Sequence, residues 1–275
     1  MGYRSHLSLA AVLLLATLGT AACGSDSNGA QAGKAGSCGS ISDLRLVKAG
    51  TLTIGTDSPA YPPWFEDNTP TNGKGYESAV AYAIAKKLGF ATSKVKWTTV
   101  PFDNAIKPGN KSFDFDVNQV SISADRAKVV DFSAGYYDVN QAVAGYKDSA
   151  AAAATKVSDL KKLKLGAQVG TTSLDYINNV IKPDTAPFVY NDNNAAKAAL
   201  NAKQIDAIVL DLPTALYVTA SEIKNTVVIG QLPTTGTRPE QFGAVFQKGN
   251  SLKTCVDRAQ DGLKSDGTLA SIRQK

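Results

Sequence analysis

The stretch LGAQVGTTSLDYINNVI, residues 165–181, decides how this chain is built. Leu165–Val169 is short, apolar and bounded by polar residues, which reads as a buried strand. Gly170-Thr171-Thr172 then opens a helix that is expected to run through Ile181. Thr172 and Asp175 stand at the spacing of a capping box, a signal of a helix start. A strand that passes directly into a helix is the repeating unit of an α/β sheet.

Working outward, the same unit recurs on both sides. Upstream, Leu52–Gly55 reads as a strand, and Tyr76–Leu88 carries a helical apolar stripe stopped by Gly89. Val95–Val100, Phe113–Ser121 and Val129–Phe132 follow as strands, then an apolar run from Val139 to Tyr146. Downstream come the strand Phe188–Tyr190, the helix Asn194–Ala202 and the strand Ala207–Leu210. A helix Pro213–Ser221 follows, with proline in its first turn. Val227–Gly230, Phe242–Phe246 and a helix Ser251–Ser265 complete the chain. Two such series, divided near residue 140, predict an α/β fold of two lobes, each a mostly parallel sheet flanked by helices.

The N-terminus sets the compartment. Arg4 precedes a 12-residue apolar run, Leu7–Leu18, and then Gly-Thr-Ala-Ala-Cys. A basic start, a short apolar core and small residues make a secretory signal over residues 1–22. TAAC resembles a bacterial lipobox, with Thr20 where leucine is usual, so Cys23 is expected to carry lipid and anchor the protein outside the cytoplasm. The alternative is an ordinary cleaved signal with a stray cysteine. Residues 23–43, small and polar, read as a flexible tether.

Removing Arg4 leaves 28 basic residues against 24 acidic ones, without a basic block, so nucleic acid is not an expected partner. The only histidine is His6 and the only methionine Met1, both inside the predicted signal. The rest of the chain therefore holds no Ser-His-Asp triad, no Cys-His pair and no histidine-ligated metal. No catalytic residue, cofactor or metal is expected. Cys38 and Cys255 remain, either joined as a disulfide outside the reducing cytosol or as two separate thiols.

Four groups of polar residues fall at the carboxyl ends of predicted strands: Asp57, Ser121 with Arg126, Thr171 with Thr172, and Asp211. Open α/β sheets bind ligands at those ends. Arg126 suits a carboxylate, which it can grip through two parallel hydrogen bonds. The helix start at Thr172 favours the same anion, and Asp211 suits an ammonium. A molecule with both charges on one carbon is an α-amino acid. Tyr61, Trp64 and Phe102 stand ready to pack its side chain.

At this point the sequence resembles the polar amino-acid-binding proteins of ABC importers, solute-binding family 3. LTIGTDSPAYPPW looks like the family's opening strand and aromatic loop, and SISADRAKVVDFSAGYY like its central signature. AQVGTTSLDYI and AIVLDLPTALY are similar to its second-lobe anion loop and ammonium-binding strand end. The resemblance implies the type II periplasmic-binding-protein fold with two crossover strands as hinge, near Tyr136–Gln141 and Pro239–Phe242. Lobe 1 would comprise residues 44–140 plus 241–275, and lobe 2 residues 141–240. Arg126 would clamp the ligand α-carboxylate, helped by the Ser121 hydroxyl and the backbone at Thr172, with Asp211 on the ammonium. Tyr61 and Phe102 would face the aliphatic part, Asp57 the far end, and Gln119 and Gln168 would line the site. The implied protein is a monomer that hands an amino acid, leaning to a basic or amide side chain, to an ABC permease. The same fold also admits a cyclohexadienyl-type dehydratase or a ligand-sensing receptor subunit. Ala79 replaces a usual aspartate, and Asp116 and Asn118 replace small apolar residues on one strand face.

Overall fold

The computed structural model describes residues 38–274. In chain order, the first strands are β1 Leu52–Thr56, β2 Val95–Thr99, β3 Phe115–Asp116, β4 Val130–Phe132, β5 Tyr137–Val139 and β6 Gln141–Tyr146. The second half holds β7 Leu165–Gln168, β8 Phe188–Tyr190, β9 Ala207–Asp211, β10 Thr226–Gln231, β11 Glu240–Phe242 and β12 Val245–Gln247. The α-helices are α1 Tyr76–Lys87, α2 Phe102–Ile106, α3 Thr172–Tyr176, α4 Asn193–Asn201, α5 Leu212–Tyr217, α6 Leu252–Ser265 and α7 Thr268–Arg273.

Two five-stranded sheets form, ordered β2-β1-β3-β12-β4 and β10-β6-β9-β7-β8, with β5 and β11 paired as a separate ribbon. They are the bases of two lobes. Both sheets are mixed rather than mostly parallel. β1 lies parallel to β2 and β3, and β7 parallel to β8 and β9, but β12 runs against β3 and β4, and β6 against β9 and β10. The reason is the ribbon. Strands of βα units run toward the cleft, whereas β6 and β12 each leave the ribbon at the cleft and run away from it.

Periodicity explains the burial. In β9, Ala207 and Val209 enter the core on one face of the sheet, while Ile208 and Leu210 enter a second core on the other. A strand covered on both faces is apolar throughout. In lobe 1, Ile54, Phe115 and Phe246 pack against Val80, Ala81 and Ile84 of α1. Gly75 opens that helix with φ +82°, where a Cβ would stand 2.5 Å from the Trp64 carbonyl oxygen. Only glycine fits there.

Two expectations are corrected here. Residues 38–43 belong with lobe 1 rather than with the expected tether, since Cys38 and Ile41 pack on the lobe 1 core. Cys38 is disulfide-bonded to Cys255 of α6, with Cα atoms 5.5 Å apart. The buried Asp114 carboxylate also accepts from the Val47 N–H (2.7 Å) and the Thr53 N–H (2.6 Å), fastening the entering chain to β1. The strand expected over 113–121 shrinks to Phe115–Asp116, because Gln119 turns the chain at φ +51°. The expected signal and Cys23 lie outside the described residues.

Candidate ligand-binding cleft

Between the lobes lies a narrow cleft, lined by Asp57, Tyr61, Phe102, Gln119, Ser121, Arg126, Gln168, Thr172 and Asp211. All nine sequence-predicted residues are thus brought together. Asn118, Thr171, Ser173 and Asn193 line it as well.

Lobe 1 supplies its share from strand ends and the turns after them. Arg126 is buried, and its guanidinium donates to the Ser121 carbonyl at 2.6 Å and, across the cleft, to the Gly170 carbonyl at 2.7 Å. It also lies 5.5 Å from the Phe102 ring centre, a cation–π arrangement. Two of five N–H donors are occupied, so three remain for an anion. Asp131 pairs with Lys248 at 2.8 Å rather than with Arg126. Asp57 accepts from the Ser58 N–H at 2.7 Å and the Phe102 N–H at 3.2 Å. Burial nonetheless raises its carboxyl above the ordinary value.

Under this surface sits a buried acid. Glu77 of α1 is fully enclosed and accepts from the Gln119 backbone N–H, the Gln119 amide and the Tyr136 hydroxyl. Desolvation pushes its carboxyl up to about 7 despite these donors. Gln119 is therefore held from below, its amide committed to Glu77. Asp116 is also fully buried, and neither carboxylate oxygen has a partner. Desolvation, reinforced by the Glu77 and Asp57 charges, lifts it far above the ordinary range. Gly55 faces Asp116 in register, and a Cβ there would stand 2.6 Å from Asp116 Oδ2. The departure seen in the sequence is thus a buried one.

Lobe 2 supplies a helix start and a strand end. Thr171, not Thr172, is the N-cap of α3, its hydroxyl accepting from the Leu174 N–H at 3.2 Å and donating to the Gln168 carbonyl at 2.7 Å. The Thr172 hydroxyl is thereby left out of the cap, and it donates to Glu240 at 2.7 Å while accepting from Gln141 Nε2 at 3.2 Å. Asp211 occupies the N-cap position of α5 but makes no capping bond; its carboxylate accepts from Gln141 Nε2 at 2.9 Å. Strand register puts Gln141 opposite Asp211. Desolvation first, and then the nearby Glu240 charge, push Asp211 up to about 7, against the opposing pull of Gln141 and Arg126.

The lobes touch at further points. Trp64 is buried and donates from Nε1 to Thr214 Oγ1 at 2.9 Å, which places it in the core beside the ribbon rather than on the ligand face. Its ring meets Tyr137 and Phe242 edge-on, at 5.0 and 5.2 Å between centres. Lys197 of α4 stands 5.0 Å from the Tyr61 ring centre.

Sequence reasoning missed Glu240 and Gln141. Both stand where the ribbon meets the sheets, so a signal existed: polar residues at the ends of the expected crossings. Asn118 was flagged only as a departure, and Asn193 not at all, because its position depends on how α4 approaches Tyr61.

Comparison with known proteins shows which family the fold belongs to. Residues 52–275 match the family described as bacterial extracellular solute-binding proteins, family 3. The L-cystine-binding protein TcyJ of Escherichia coli K12 is 28% identical over 235 residues, 84% of each chain. The ABC transporter glutamine-binding protein GlnH of Bacillus subtilis 168 is 28% identical over 276 residues, covering 98% of this chain and 95% of that one. Among solved structures, an ancestral arginine-binding protein bound to arginine superposes with a TM-score of 0.69 at 32% identity, over 82% of this chain and 97% of the other.

Proposed function

Because this chain belongs to the bacterial extracellular solute-binding proteins of family 3, we propose that its interlobe cleft captures an amino acid and presents it to an ABC permease. The observation that carries this reading is the pairing of Arg126 from lobe 1 with Asp211 from lobe 2 on one cleft. A zwitterion bridging them binds the closed form better than the open one, which is what couples capture to closure. In this reading Arg126 holds the α-carboxylate, Asp211 the α-ammonium, and Tyr61 and Phe102 the aliphatic part.

The relatives named for cystine, glutamine and arginine show that one scaffold serves several side chains. A basic or amide side chain is favoured here by Asp57, a half-buried acceptor at the cleft wall. The protein acts as a monomer, anchored outside the cytoplasm through lipid on Cys23; a Cys23→Ser variant should leave the membrane fraction for the soluble one.

The test is thermal stability of the ligand-free protein against the twenty L-amino acids, ornithine and cystine. A ligand at 100 times its Kd adds about 2.7 kcal/mol, a rise of several degrees. A rise with one or a few of these supports the reading; none with any of them overturns it.

A further inference from the structure

Glu240 lies outside the cleft lining, on β11 of the ribbon, yet it governs two groups that line it. Its Oε2 accepts from Ser121 Oγ of lobe 1 at 2.7 Å and from Thr172 Oγ1 of lobe 2 at 2.7 Å, with Gln141 Nε2 at 3.4 Å. The two hydroxyls themselves stand 3.5 Å apart, one from each lobe. A hydroxyl has one proton to donate and two lone pairs. Both protons point at Glu240 and Thr172 Oγ1 also accepts from Gln141 Nε2 at 3.2 Å, so what Ser121 and Thr172 keep for the cleft is acceptor capacity only, one lone pair of it on Thr172 already used.

We infer that Glu240 is the positioning residue of the site: it orients the Ser121 and Thr172 hydroxyls as acceptors and ties both lobes to the ribbon when they close. The expected help from the Ser121 hydroxyl to a ligand carboxylate is thereby withdrawn, because that hydroxyl has no proton left to give. The anion falls to the free Arg126 donors, and the two hydroxyls join Asp211 on the cationic side. A contact shared by both lobes exists only when they are together. An opening that parts the two hydroxyls costs Glu240 one of them, and in this inference that biases the ligand-free protein toward closure.

The affinity arm of the test rests on the proposed amino-acid binding; the distance arm does not. For the distance arm, the full chain carries spin labels at Lys96→Cys and Lys161→Cys, exposed sites on lobe 1 and lobe 2. Interlobe distances are measured without ligand in otherwise native protein and in Glu240→Ala. A longer or broader distribution in the variant is expected; identical distributions overturn the closure role. For the affinity arm, L-arginine and L-glutamine, and whichever amino acid raises stability most, are titrated into native protein, Glu240→Gln, Ser121→Ala and the double variant. Glu240→Gln, whose amide can donate, should weaken binding about tenfold, and this loss should shrink several-fold once Ser121 is alanine. A residue with only a structural role would show the same loss in both backgrounds, and that result, or an unchanged affinity, overturns the orienting role. Native protein that binds no amino acid rejects the proposed function, while the distance arm still judges Glu240.

Discussion

The two walls of the cleft are both made of strand ends, yet they solve the problem of buried polarity differently. On lobe 2 the donors and acceptors are matched to one another: Thr171 caps α3, Ser173 donates to Gln141 at 2.6 Å, and Gln141 donates to Asp211. On lobe 1 two acids are sunk beneath the surface. Glu77 holds the turn at Gln119, and Asp116 has no partner for either oxygen. Buried carboxyls without full partners are costly unless they keep a proton. Lobe 2 is thus a wall of mutually bonded polar groups with one desolvated acid, Asp211, at its edge, and lobe 1 a wall held in place by two desolvated acids beneath it.

That contrast is most sharply broken at Glu77. Glu77→Ala strands the Tyr136 hydroxyl and the Gln119 N–H, and should cost about 3 kcal/mol in denaturant unfolding. Glu77→Gln, which keeps an acceptor, should recover much of that loss.

Asp116 comes next, through pH. Its folded carboxyl is raised far above the ordinary 3.8, so the folded state keeps its proton where the unfolded chain has released it. That contribution to stability is complete below about pH 4 and drains away as pH rises toward the folded value. Each unit between the two titrations is worth about 1.4 kcal/mol. Asp116→Asn, which cannot ionise, should therefore gain on the native protein in unfolding experiments from pH 4 to pH 7. A constant difference across that range would mean Asp116 is ionised in the fold.

Asp211 carries a similar shift on the other wall, and there the readout is binding. To pair with an ammonium it must be ionised, and burial holds it near 7. Affinity should fall up to about tenfold per unit below pH 7 and level off above pH 8, by calorimetry. Asp211→Asn should remove that slope along with most of the affinity. The smallest expected effect is Thr171→Ala, about 1 kcal/mol of stability from a lost cap, read by denaturant unfolding.

These walls differ in legibility for the same physical reason. Caps and strand-to-helix turns are local, so α3, α5 and the residues Thr172 and Asp211 can be read from neighbouring letters. The two-lobed α/β plan followed from that alternation, and Arg126, Ser121 and Asp57 from their place after strands. The one-residue error between Thr171 and Thr172 shows the limit even of a local signal. Partners remote in sequence were not legible. Glu240 meets Ser121 across 119 positions and Gln119 meets Glu77 across 42, joined only by the ribbon and by the packing of α1. Strand direction was misread on the same account, since the antiparallel course of β6 and β12 depends on the chain crossing twice between lobes.

The most direct test of the account is titration calorimetry of the amino acid that raises stability most, with native protein, Arg126→Ala and Asp211→Ala in parallel. The account predicts one site per chain in the native protein and at least a hundredfold loss in each variant, with the ligand-free fold kept. Binding that survives both substitutions within a few-fold would place the ligand elsewhere and contradict it.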